Sequence, residues 1–95
     1  MTTKKKPYVV VRTYSAGVHV GELSDRRGKE VDLANTRRIW RWAGANTLNE
    51  IALRGVGNGS KVSETAPAIT LTEAIEILTC TPEAEKNLRN AAWSA

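Results

Sequence analysis

Three arginines and two tryptophans fall within six positions, Arg37-Arg38-Ile39-Trp40-Arg41-Trp42, out of fourteen basic residues and three tryptophans in the whole chain. Guanidinium groups hold phosphate through forked hydrogen bonds, and indole faces stack on bases at roughly 1–3 kcal/mol per base in other systems. Read as a helix, these residues scatter around the axis and form no apolar stripe. Read as a strand, alternation puts Arg38, Trp40 and Trp42 on one face and Arg37, Ile39 and Arg41 on the other. The strand is preferred because it sorts the residues, and two roles stand open for it. The Arg38 face is a nucleotide or nucleic-acid site; alternatively, in a chain without phenylalanine, Trp40 and Trp42 supply the core while arginine stems snorkel around them.

Other residues extend the first role. Arg12 and Tyr14 are two apart on an expected strand and share a face, with Ser15 opening the turn beyond them, and Arg54 closes an expected helix. Several of these converging on one cleft would suit a ligand with phosphates and a base, because arginine supplies charge-assisted donors where the phosphate sits. Catalysis has less to stand on. His19 is the sole histidine, it sits mid-hairpin with no nucleophile in its local sequence, and Glu73 and Glu76 are three apart and so face opposite ways on a strand. Cys80 is the sole cysteine, which excludes an intramolecular disulfide and a multi-cysteine zinc site; no cofactor or metal is expected. The stretch Gly55-Val56-Gly57-Asn58-Gly59-Ser60-Lys61 hints at a phosphate loop, but that signature needs Gly-Lys-Ser/Thr between a strand and a helix, and here Gly-Ser-Lys follows a helix.

The elements that must position these residues are legible in part. A chain of 95 residues makes one domain with little surplus burial. Residues 1–7, Met1-Thr2-Thr3-Lys4-Lys5-Lys6-Pro7, read as a flexible basic arm, and residues 8–95 as the domain. Tyr8 to Tyr14 and Val18 to Leu23 read as a hairpin across Ser15-Ala16-Gly17. Ser24 to Gly28 is a turn in which Gly28 suits positive φ. Glu30 to Leu33 is a third strand, and Ala34-Asn35-Thr36 leads into the tryptophan strand. Thr47-Leu48-Asn49-Glu50 matches a capping box, so a two-turn helix spans Thr47 to Arg54 with Gly55 after its end. Gly55 to Pro67 reads as flexible. Ala68 to Thr79 reads as one long strand, and Thr81-Pro82 with Glu83 and Glu85 opens a helix that buries Ala84, Leu88 and Ala91 and runs to about Ala92. Trp93 would clip that helix to the sheet. The fold class is α+β: a mostly antiparallel sheet of about five strands with two short helices.

The net charge of +4 and pI near 9.6 favour polyanions, but ten acidic residues are interspersed with the basic ones, which argues against nucleic acid as the partner. A small basic nucleic-acid-binding protein is the second reading, and an inhibitor of a host factor through an aromatic patch is a third. Val9-Val10-Val11 is far too short for a signal or membrane segment, so no membrane association and a cytoplasmic location are expected. The Asn58-Gly59-Ser60 sequon is accordingly read as an ordinary turn.

The blocks Tyr8 to Val18, Gly28 to Leu33, Arg37 to Ala45 with Thr47-Leu48, and Leu71 to Ile77 with Cys80-Thr81 together resemble the phage family of the first-described Thoeris anti-defence protein. The joint spacing carries the resemblance; no single block does. It implies a sponge and not an enzyme: a protein of the infected bacterial cytoplasm that holds, uncleaved, the cyclic ADP-ribose isomers made by TIR-domain immune sensors. Some members also bind cyclic trinucleotides of CBASS at separate sites. It also implies a homo-oligomer, a dimer or a hexamer built of dimers, with pockets between subunits. The candidate ligand-binding set is Arg12, Tyr14, Ser15, Arg38, Trp40, Trp42 and Arg54, and the ligand a cyclic nucleotide second messenger.

Overall fold

Strand β1 (Tyr8–Thr13) is buried on both faces over Tyr8 to Val11, as a run of three valines permits, and only Arg12 is exposed. It pairs antiparallel with β2 (Val18–Arg27), and β2 pairs with β3 (Glu30–Arg41) through a two-residue turn in which Gly28 takes φ 60°. The computed structural model describes residues 6–14, 17–41, 47–57 and 60–91. Ser15, Trp42, Trp93 and most of the N-terminal arm therefore lie outside the described residues. Lys6 and Pro7 run on from β1: the Pro7 carbonyl accepts from the Leu23 amide at 2.8 Å.

The third and fourth expected strands are one element. β3 runs through Ala34-Asn35-Thr36, where a bulge sets Asn35 and Thr36 against the single residue Gly21 of β2, with Asn35 at φ 47°. The missing side chain of Gly21 makes this possible, since a Cβ there would sit 3.1 Å from the Ala34 carbonyl oxygen and from Thr36 Cα. The strand β2 also continues past the expected turn at Ser24, pairing with β3 as far as Arg27 and Glu30, and Arg27 bridges Glu30 and Asp32 across the hairpin end.

Helix α1 (Leu48–Arg54) starts as expected. Thr47 is its N-cap, its hydroxyl accepting from the Glu50 amide at 3.3 Å, although the Glu50 carboxylate turns to Arg54 instead of closing the box. Two expectations then fail. The segment after Gly55, read as flexible, is held: Asn87 grips both the amide and the carbonyl of Val56, and the short β4 (Lys61–Val62) buries Val62 against β3. The single strand expected over 68–79 is two. β5 (Ala66–Leu71) pairs with β3 and β6 (Ala74–Thr79) pairs with β1, so Thr72 and Glu73 link opposite edges of the three-stranded meander and curl the sheet. Two backbone bonds clasp that corner, Ala74 amide to Lys29 carbonyl and Tyr14 amide to Glu73 carbonyl, both 3.0 Å.

Helix α2 (Pro82–Asn90) has Thr81 as its N-cap and buries Ala84 and Leu88. The six-stranded, antiparallel sheet with two short helices is an α+β fold. Its core has two halves. On one face Tyr8, Val10, Val18, Val20 and Ile39 pack against Ile51, Ala52 and Leu88 of the helices; inside the curl, Val9, Val11, Val31, Leu33 and Leu71 pack together. Among the described residues no helix is long and apolar enough to cross a membrane.

Candidate functional site

The arginine strand separates as alternation requires. Arg37 and Ile39 point toward the helices and are buried, at 5% and 1% exposure, whereas Arg38 is exposed. Trp40 is 52% exposed, so it does not supply the core; branched aliphatic side chains do. A register irregularity falls at Trp40, where Ile39 and Arg41 of β3 face the consecutive Val62 and Lys61 of β4. The strict alternation that would place the indole beside Arg38 is interrupted there, and what remains is an exposed ring two positions along the strand, about 6–7 Å away by strand rise.

Arg37 is structural. Its Nε donates to the Ser63 carbonyl at 2.8 Å, and its Nη1 donates to the carbonyls of Leu88 at 2.8 Å and Arg89 at 3.4 Å. Those carbonyls end α2, where the helix carries partial negative charge, so a buried cation is satisfied without a carboxylate.

Arg38 is held differently. Its backbone amide donates to Ser63 Oγ at 2.8 Å, and its Nε–H donates to Nε2 of His19, directly across the strand pair, at 3.1 Å. His19 is 1% exposed. Burial, and secondarily the Arg38 charge, push its pKa down to about 4, so the imidazole is neutral near pH 7. Because Nε2 accepts, the ring proton sits on Nδ1, which is buried with no partner among the described residues. A neutral acceptor orients the guanidinium without itself cancelling its charge. His19, Arg38, Thr36, Ser63, Glu64 and Ile69 line a cleft of about 270 Å³ between β3 and the start of β5, so the Glu64 side chain shares the cleft with Arg38 without forming an ion pair to it.

The remaining candidates lie elsewhere in the single chain. Arg12 faces Glu76 at 3.8 Å, and its cross-strand neighbour Val18 is paired in turn with Ile39, which puts Arg12 on the helix-bearing face, opposite Arg38. Arg54 is ion-paired to Glu50 on α1, over that same face. Tyr14, 78% exposed, borders a separate hollow of about 460 Å³ with Lys29, Glu73 and Ile75. Arg27 and Arg89 are likewise paired with carboxylates, Arg27 with Glu30 and Asp32, and Arg89 with Glu22 and Glu85. Among the described residues Arg38 has no acidic partner. His19 and Ser63, which set Arg38, were not singled out from the sequence as site residues; their only signal is a pairing register that local sequence does not specify. No group of three or more histidine, cysteine or acidic side chains is placed to hold a metal among the described residues.

No curated protein and no solved structure matches the chain. The profile of one family, described as Domain of unknown function (DUF6948), matches residues 6–88, most of the sequence, and the chain belongs to that family.

Proposed function

We propose that this protein binds and sequesters a cyclic nucleotide second messenger, a TIR-derived cyclic ADP-ribose isomer, without cleaving it. The observation that carries the reading is Arg38: a guanidinium oriented by a neutral imidazole, with no ion-paired carboxylate among the described residues, lining a cleft and two positions from an exposed indole. A pyrophosphate needs the first and an adenine can stack on the second. The likeness of the Tyr8 to Thr81 blocks to the Thoeris anti-defence family supports sequestration over turnover and action in the cytoplasm of an infected bacterium. It also supports a homo-oligomer and a second class of ligand, the CBASS cyclic trinucleotides. Extended nucleic acid is the weaker reading, since Arg12, Arg27, Arg54 and Arg89 each face a carboxylate.

The test is retention. The protein is incubated with extract containing TIR-derived cyclic ADP-ribose isomers, filtered free of unbound ligand, heated, and the supernatant analysed by mass spectrometry. Intact ligand released only on heating is expected from wild type, with at least a tenfold loss in a folded Arg38→Ala variant. Modified ligand, or none retained, overturns the proposal.

A further inference from the structure

Arg12, Arg27, Arg54 and Arg89 are paired with carboxylates, which orient a guanidinium and cancel its charge together, whereas Arg37 is held by backbone carbonyls. Arg27, Arg54 and Arg89 bond to acidic side chains at 2.5–3.4 Å. Arg38 bonds to an imidazole, and only through Nε. The two terminal nitrogens, which make the forked contact to phosphate oxygens, have no acceptor among the described residues. The imidazole is itself fixed, buried at 1% exposure between Val11 of β1 and Arg38 of β3 in one cross-strand row. Its Nδ1–H has no partner among the described residues, a cost that a purely structural side chain at this position would avoid.

We propose that His19 is the positioning residue of the Arg38 site: a buried, neutral acceptor that locks the guanidinium plane by its Nε–H and so presents both terminal nitrogens, without itself neutralising them, to a phosphate-bearing ligand. The choice of ligand as a cyclic nucleotide rests on the reading above; the positioning does not. Three side chains at position 19 separate the properties involved. Glutamine keeps a neutral acceptor, leucine removes it, and glutamate keeps an acceptor but neutralises Arg38.

Two measurements test this. The first needs no ligand: in nitrogen-15 spectra of arginine side chains, the Arg38 Nε–H, assigned by its loss in Arg38→Lys, is expected to be protected from solvent exchange in wild type and His19→Gln and unprotected in His19→Leu. The second is retention of cyclic ADP-ribose, expected to fall about tenfold in His19→Leu and further in His19→Glu, and to stay within about threefold in His19→Gln. An unprotected Arg38 Nε–H in wild type overturns the proposal, even if His19→Leu fails to fold. So does a folded His19→Leu that retains the ligand as wild type does. If the exchange pattern is as expected while wild type retains no cyclic ADP-ribose, the positioning stands and the cyclic-nucleotide reading falls.

Discussion

Arg37 Nη1 donates to the carbonyl oxygen of Leu88 at 2.8 Å, joining the middle of the sheet to the end of α2 across 51 positions of sequence. The same side chain reaches the Ser63 carbonyl and so ties down the link from β4 to β5. Arg37→Met keeps the apolar stem and strands these carbonyls. A loss of about 2–4 kcal/mol is expected, because each bond involves a charged donor and the Leu88 carbonyl left behind is buried. Urea denaturation followed by circular dichroism measures it; a loss below about 1 kcal/mol would show that water reaches the helix end.

Acid should unfold the protein in two stages. The folded pKa of His19, near 4, lies below the 6.5 of an exposed imidazole, so the unfolded chain takes up the proton first as pH falls. The stabilisation is full above about pH 6.5 and is lost between 6.5 and 4, by up to roughly 3 kcal/mol. Glu22 and Asp32, whose pKa values are lowered chiefly by hydrogen bonds from Arg89 and Arg27, lose their share only at more acidic pH. The urea midpoint is expected to drop between pH 7 and 5 in wild type and to stay level in His19→Gln. A level wild-type midpoint would mean that water solvates the imidazole.

Gly55 carries a backbone that other residues resist, φ 84° and ψ −155°, and a Cβ there would land on the carboxamide of Asn87. Gly55→Ala therefore strains the turn and displaces the side chain that grips Val56. A loss of at least about 1–3 kcal/mol is expected. Asn87→Ala should cost a similar amount, and the double variant less than the sum, because both act on one contact.

Arg54→Ala removes an exposed ion pair with Glu50 on the face opposite Arg38. Stability should change by less than about 0.5 kcal/mol. If the ligand is held by Arg38 and Trp40 of one chain, retention should stay within about twofold; a tenfold loss would instead bring Arg54 to the ligand from a second copy.

Residues that act on near neighbours were legible in the sequence. Thr47 and Thr81 cap helices by accepting from amides three residues on, Pro82 sits where its missing amide is harmless, and Gly28 turns a two-residue hairpin. The parity of Arg37 and Arg38 was legible too, since a strand must send successive side chains opposite ways. Alternation is symmetric, however, and does not say which face is buried. That was settled by α2, whose carbonyl end accepts Arg37 and leaves Arg38 outside.

What tertiary structure alone decided is every feature that depends on register between distant segments. The bulge of Asn35 against Gly21 fused two expected strands into β3 and set His19 opposite Arg38. Pairing of β5 with β3 and of β6 with β1 divided one apolar run between two sheet edges. A run such as Ile69 to Leu78 has the same propensity whether it continues or bends, and the choice falls to whichever backbone partners and buried faces the curled sheet offers.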